Sequence, residues 1–252
     1  MEATVFTPIN ASSFSRHFSI PYEQVKDQRC PEVTIAVDVF YCRRTPENES
    51  IRLLYCSHAL NHSLRCQTLV SRNNEKEKQF GASDSLRDQG FHRARTLILA
   101  PTKEAARRIV HTFFHLMPKG STVSHRRRFE RDFGPQPGDT DKEKKKGRKP
   151  KDYEEWFSGK EKEADVQYII ASIELLIIDQ AEVLLMQNWA TVQQIVSLLN
   201  QRPTVPVFAS AARIRLCYLA GYGKRYRQTL LFSAVSNFLI TLLSGECESK
   251  FI

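Results

Sequence analysis

The sequence predicts an α/β fold layered on a parallel sheet, and three short apolar runs are the reason. Leu97 to Ala100, Leu175 to Ile178 and Thr229 to Phe232 have the length and composition of strands buried on both faces. Each run stops at a corner: Pro101-Thr102, Asp179-Gln180 and Ser233-Ala234. An amphipathic or apolar stretch follows each corner. Strand–corner–helix units in series are the pattern of a parallel sheet covered by helices.

The elements follow in chain order. Residues 1–50 read as an irregular N-terminal segment, in which Glu32 to Tyr41 (EVTIAVDVFY) has strand character but no evident partner. Ile51 to Val70 reads as a helix, because Leu53, Leu54, Leu60, Leu64 and Val70 recur at near-helical spacing. The polar stretch Ser71 to Asp88 reads as a linker, making 51–90 a helical extension. Thr96 to Ala100 is the first strand. Glu104 to Met117 is its helix, with Ala105, Ile109, Val110, Phe113 and Leu116 on one stripe and Pro118 and Gly120 as the stop. Gly134 to Lys151 reads as a disordered basic insert. In Val166 to Asn200, Ile169-Ile170-Ala171-Ser172 runs into Ile173-Glu174-Leu175 as two strands joined at a serine. That strand ends at Asp179, and its helix is stopped near Pro203. The third strand and the apolar segment to Leu243 complete a unit spanning 91–243, with 244–252 as a tail.

Composition narrows the function classes. The chain has 252 residues, a formal net charge of +9 and 41% hydrophobic residues, enough for a core. No apolar run of membrane-spanning length occurs, so no membrane partner is expected. The opening MEATVFTPINASSF lacks the basic and apolar regions of a secretory signal. Six cysteines without a C-x-x-C fit reduced thiols in a cytosolic or nuclear protein. Between Lys119 and Lys151 there are 12 Lys/Arg against 5 Asp/Glu, so most of the excess charge sits in one stretch. Such a patch points to a polyanion, nucleic acid being the commonest, and a solvated surface loop is the plain alternative.

The corners carry the chemistry. Pro101-Thr102-Lys103-Glu104 after a strand matches the helicase corner that touches a nucleic-acid backbone, where Thr102 and helix N–H groups can meet a phosphate and Lys103 adds charge. Asp179-Gln180-Ala181-Glu182 has the frame of a nucleotide-hydrolysis motif. Asp179 stands where an acid positions Mg²⁺, but Gln180 is an amide and cannot act as a base. Ser233-Ala234 matches the first two residues of Ser-Ala-Thr, with Val235 in the third place. No G-x-x-x-x-G-K-[ST] exists anywhere in the sequence, which argues against triphosphate binding by the usual route. Each corner alone is consistent with an ordinary core strand, and the three in the correct order carry the weight.

Arg126-Arg127-Arg128, the Lys142–Lys151 run and Lys224-Arg225-Tyr226-Arg227 are candidate phosphate contacts, the last with interleaved tyrosines suited to RNA. Cys56, His58, His62 and Cys66 suggest zinc, since His58, His62 and Cys66 share a helix face. Structural zinc takes ligands from two elements and no second cluster is evident, so the expectation is no metal site. No catalytic residue and no cofactor is assigned.

SDSLRDQGFHRARTLILAPTKEAARRIV, SHRRRFERDFG, KPKDYEEWFSG, SIELLIIDQAEVLLMQNW and YGKRYRQTLLFSA together resemble the digestive organ expansion factor family, small-subunit processome proteins associated with the U3 small nucleolar RNA. The similarity runs from about Ile51 to about Asn237. It implies an incomplete RecA-like, helicase-type lobe of DEAD-box ancestry, with the second RecA-like lobe absent. It further implies a shortened or spliced form lacking a mid-lobe segment and the relatives' acidic N-terminal region. The implied role is a non-catalytic scaffold in the nucleolus that binds pre-rRNA, U3 RNA and processome proteins during 18S rRNA maturation, with no small-molecule substrate. The alternatives are an ATP-dependent RNA helicase and a generic basic nucleic-acid-binding module.

Overall fold

The computed structural model describes residues 38–42, 48–117, 120–134, 167–204 and 211–246. Four short strands form one sheet: β1 (Val39–Cys42), β2 (Thr96–Leu99), β3 (Leu175–Ile178) and β4 (Gln228–Ser233). The order across the sheet is β1-β4-β3-β2 and every pair is parallel. Parallel neighbours cannot be joined by tight turns, so helices carry each crossover. These are α1 (Asn48–Phe80), α2 (Lys103–Leu116), α3 (Arg126–Phe133), α4 (Ala181–Leu198), α5 (Leu216–Leu219) and α6 (Phe238–Glu246).

The pleat divides the core. On one face Leu175, Ile177, Leu230 and Phe232 pack with Tyr55, Cys56 and Ala59 of α1 and Ile109 of α2. On the other face Leu176, Ile178 and Leu231 pack with Trp189, Val192 and Val196 of α4 and Ile240 and Leu243 of α6. The four β3 side chains are buried on both faces, which is why that strand reads as an unbroken apolar run. A smaller cluster of Phe91, Tyr168, Ile214, Cys217, Tyr218 and Tyr226 closes the amino-terminal end of the sheet.

Several elements differ from their sequence expectation, each for a physical reason. The strand-like EVTIAVDVFY finds its partner in β4, far along the chain, with Val39 opposite Leu230 and Cys42 opposite Ser233. Of that run Val39–Tyr41, continued by Cys42, is described as strand, and among the described residues it forms one edge of the sheet rather than an irregular leader. The helix assigned to 51–70 runs on through the expected linker as far as Phe80. Its second half is held by polar contacts rather than an apolar stripe. Asn73 donates to Asp88 at 2.9 Å, and Arg213 bridges Asn74, Glu77 and Asp88. Because β1 and α1 pack into the same body as the later strands, no boundary at residue 50 or 90 separates them from it.

Residues 167–171 are helical, not a strand running into β3. Ser172 ends that helix, its hydroxyl donating to the Tyr168 carbonyl at 2.9 Å and accepting the His92 N–H at 2.9 Å. Gly90 sits so close that an added Cβ would meet the Ser172 side chain at 2.9 Å. α4 bends at Asn188, whose Oδ1 accepts the Thr191 N–H at 3.2 Å and caps the second half. The tail expected from 244 begins as the last turn of α6. The Gly134–Lys151 insert lies, beyond Gly134 itself, outside the described residues.

Arg213 is the most heavily used polar group in this frame. Its guanidinium contacts Asp88 at 2.8 and 3.1 Å and the Leu86 carbonyl at 2.9 Å, and Asp88 is 2% exposed. Arg213→Ala is therefore expected to destabilise the chain by roughly 3–5 kcal/mol, because it strands a buried carboxylate. Adding Asp88→Asn to the same variant should recover part of that loss, with urea unfolding as the measurement.

Candidate functional site

In open parallel sheets, ligands bind outside the carboxyl ends of the strands. Here that end is ringed by Tyr41 of β1, Ser233 at the end of β4 with Ala234 after it, and Asp179, Gln180 and Glu182 after β3. They line a cavity of about 380 Å³ together with Arg52 of α1 and Arg108 of α2. Both expected motif corners, the Asp179 frame and the Ser-Ala pair, thus come together.

Their bonding is internal. The Asp179 N–H donates to the Leu99 carbonyl at 3.0 Å, locking the end of β3 to β2. Gln180 takes a left-handed conformation (φ 52°) to turn the chain into α4. Glu182, in the first turn of α4, accepts the Ser233 hydroxyl at 3.1 Å and the Ala234 N–H at 2.9 Å. The Ser233 hydroxyl also faces the Val235 carbonyl at 2.7 Å, and its single proton serves one of the two at a time. Glu182 therefore ties the β4 corner to the β3 corner.

Asp179 is the buried member. The Tyr55 hydroxyl of α1 donates to its Oδ2 at 3.0 Å. Burial pushes the Asp179 carboxyl above its usual value, against the opposing pull of Tyr55 and Arg52. Burial and the neighbouring Asp179 charge in turn push the Tyr55 phenol up, and burial raises the nearby Cys56 thiol to about 12. Arg52 is neutralised by Glu49, one turn earlier on α1. One oxygen of the Asp179 carboxylate thus accepts a phenol.

The sequence reading missed Tyr55, Arg52 and Glu49, because it gave β1 no partner. The available signal was the β-branched, aromatic run Glu32 to Tyr41 followed closely by a helix start at Asn48. A phosphate-cradling loop, where there is one, stands between a strand and the helix that follows it. The residues between β1 and α1 are Arg43-Arg44-Thr45-Pro46-Glu47, which include no glycine and no Lys-Ser or Lys-Thr.

The expected nucleic-acid contacts are split between the two ends of the sheet. Thr102 and Lys103 stand at the carboxyl end, where the Thr102 side chain caps α2 by accepting the Ala105 N–H at 3.1 Å. Arg126, Arg127 and Arg128 open α3, which packs on α2. Arg126 lies 4.9 Å from the Phe114 ring centroid, Arg127 is exposed, and Arg128 faces Asp132 at 3.8 Å. Together α2 and α3 carry seven Lys/Arg against three acids. Lys224 and Arg225 lie instead in the turn Gly223–Tyr226 before β4, at the amino-terminal end. Arg227 is a correction: it is 2% exposed and donates to Asn200 Oδ1 at 3.1 Å, so its side chain is part of the core. The Lys142–Lys151 run lies outside the described residues.

A family model described as "UTP25, NTP hydrolase-like domain" matches residues 36–164 and 158–249. Among curated proteins, the chain is 33% identical over 249 residues to the U3 small nucleolar RNA-associated protein 25 homolog of Xenopus tropicalis, covering 79% of this chain and 32% of that protein. It is 32% identical over 253 residues to the Homo sapiens homolog, covering 79% and 33%. It is 30% identical over 269 residues to U3 small nucleolar RNA-associated protein 25 of Sordaria macrospora, covering 89% and 35%. The chain thus spans about a third of the length of the curated relatives it matches. No solved structure matches it. A parallel α/β sheet with motif corners gathered at its carboxyl end, under a family match that takes in most of the sequence, establishes that this chain belongs to the UTP25 family.

Proposed function

We propose that this chain is a non-catalytic, RNA-binding scaffold of the small-subunit processome, acting in the nucleolus on early pre-rRNA processing and 18S rRNA maturation. The observation that carries the reading is its membership in a family whose curated relatives are named for association with the U3 small nucleolar RNA. Pre-rRNA, U3 RNA and processome proteins are the partners this implies.

The non-catalytic part rests on the strand end. A carboxyl capped by Tyr55, an amide at Gln180 and no phosphate-cradling lysine leave the NTP hydrolase-like frame without its working parts. The sheet is best understood as a RecA-like lobe retained for shape. An alignment of 249 positions that takes in only 79% of this chain supports the view that relatives carry residues inside the lobe that this chain lacks. The RNA-binding part rests on the α2–α3 ridge, with Lys103 beside the Thr102 corner at the start of α2 and Arg126, Arg127 and Arg128 at the start of α3.

The alternative is an ATP-dependent RNA helicase, favoured only by the Asp179 cavity. RNA-stimulated ATP hydrolysis by the purified chain separates the two. No turnover is expected, and turnover abolished by Asp179→Asn would overturn the scaffold reading.

Asp179→Asn also has a structural signature. A carboxyl raised in the folded state binds its proton more tightly there than in the unfolded chain. Stability should then grow as pH falls from neutral through the folded value. The variant should lose that pH dependence and be neutral to about 2 kcal/mol more stable at pH 7, since Asn still accepts the Tyr55 hydroxyl. Thermal unfolding across pH measures both.

For RNA, affinity for single-stranded RNA should fall steeply with salt. Neutralising Arg126, Arg127 and Arg128 together should lower the log–log salt slope by about 2. Arg227→Ala should reduce stability and leave the slope unchanged. An unaltered slope in the triple variant would make the ridge a solvated face.

A further inference from the structure

The helix face carrying His58, His62 and Cys66 divides in the folded chain. His58 Nε2 lies 2.7 Å from Gln228 Oε1, and Cys56 is buried beneath the sheet. His62 and Cys66 turn instead toward the start of β3. There Glu174 supplies the second element that the sequence alone did not reveal. His62 Nε2 is 3.0 Å from Glu174 Oε2, Cys66 Sγ is 3.7 Å from the same oxygen, and Cys66 Sγ is 3.8 Å from His62 Nε2. The three donor atoms come from two packed elements and lie within 4.8 Å of one another.

Tetrahedral zinc holds N, O and S donors at about 2.0–2.3 Å, which places neighbouring donors about 3.3–3.6 Å apart. The observed triangle brackets that spacing, so small rotations of these side chains would complete one face of the tetrahedron. The donor set suits the ion. Thiolate and imidazole select zinc over magnesium or calcium, which take oxygen. Glu174 is also oriented as a ligand would be. Its other oxygen, Oε1, accepts Arg95 at 2.6 Å, Arg215 at 2.7 Å and the Tyr218 hydroxyl at 3.2 Å, leaving Oε2 aimed at His62 and Cys66.

Two arginines beside a cation site are an objection, and geometry answers it: Arg95 and Arg215 both bond Glu174 Oε1, not the oxygen that faces His62 and Cys66. An approach path exists as well: a cavity of about 680 Å³, lined by Cys66, Gln67, Ser71, Gln89, His92 and Arg95, opens beside the thiol.

We propose that His62, Cys66 and Glu174 form a zinc site that clamps α1 to the start of β3, with its fourth position open to the cavity beside Cys66. The bound state is Zn²⁺ on imidazole, thiolate and carboxylate, with water as fourth ligand and any proton on the thiol or on the liganding imidazole nitrogen released to solvent.

The test uses the full chain, stripped with a chelator and titrated with cobalt(II) and then zinc. The expected results are one cobalt per chain with a thiolate-to-cobalt charge-transfer band and proton release on cobalt binding, displacement of cobalt by zinc, and a raised thermal midpoint with zinc. Cys66→Ser should keep the far-ultraviolet circular dichroism of the parent and lose both the band and the zinc-dependent midpoint. If Cys66→Ser does not fold, His62→Gln, which spares all six thiols, should weaken zinc binding at least about tenfold. A parent chain with no band and no midpoint shift overturns the proposal. So does a band that survives Cys66→Ser but disappears with Cys42→Ser, which would assign the thiolate elsewhere.

Discussion

The structure depends on β3 being dry on both faces. Leu175 to Ile178 are each 1% exposed or less, and alternate residues of this one strand serve two different cores. A strand in that position needs helices above and below it and parallel neighbours on either side. α1 and α2 meet the first demand on one face, and α4 and α6 on the other. β2 and β4 meet the second. Shifting β3 by one residue would exchange its two side-chain sets and break both cores at once.

Two acids bracket that strand, and their surroundings set them apart. Glu174 and Asp179 are both nearly inaccessible, at 8% and 7%. Burial would raise Glu174 too, but Arg215, His62 and Arg95 outweigh it and hold that carboxyl well below the usual range. Asp179 meets chiefly a phenol, so burial prevails and its carboxyl is pushed up. One end of β3 is an electrostatic knot joining four parts of the chain. The other is a corner that opens onto a cavity shared with Arg52, Arg108 and Glu182.

That asymmetry fits a scaffold. The NTP hydrolase-like frame persists as geometry: strand ends in line, helices starting at the corners, and Glu182 linking the β3 and β4 corners. The charge that the proposed RNA contact would use sits elsewhere, on the α2–α3 ridge. RNA affinity of this type comes from many phosphate contacts and requires no closing nucleotide site.

Much of this was legible in the residues themselves. The runs LILA, LLII and TLLF have the length and composition of buried strands, and their corners mark where the helices begin. The Thr102 cap and the Asp179 and Ser233-Ala234 corners were readable for the same reason, since local chemistry sets them. What escaped local reading depends on residues distant in sequence. β1 is a strand because β4 lies beside it, and the polar second half of α1 is helical because Arg213 and Asp88 hold it. Arg227 looked like a surface cation, yet the fold turns it onto Asn200. Residues 169–172 looked like strand, yet Ser172 closes a helix against Gly90 and His92. The Tyr55–Asp179 and His62–Cys66–Glu174 contacts join positions more than 100 residues apart. The sequence by itself determined the buried strands, their corners and the basic ridge, because apolar runs, caps and charge are local properties. Only the tertiary structure decided which strand borders which, and what each buried acid faces, because those depend on packing between distant segments.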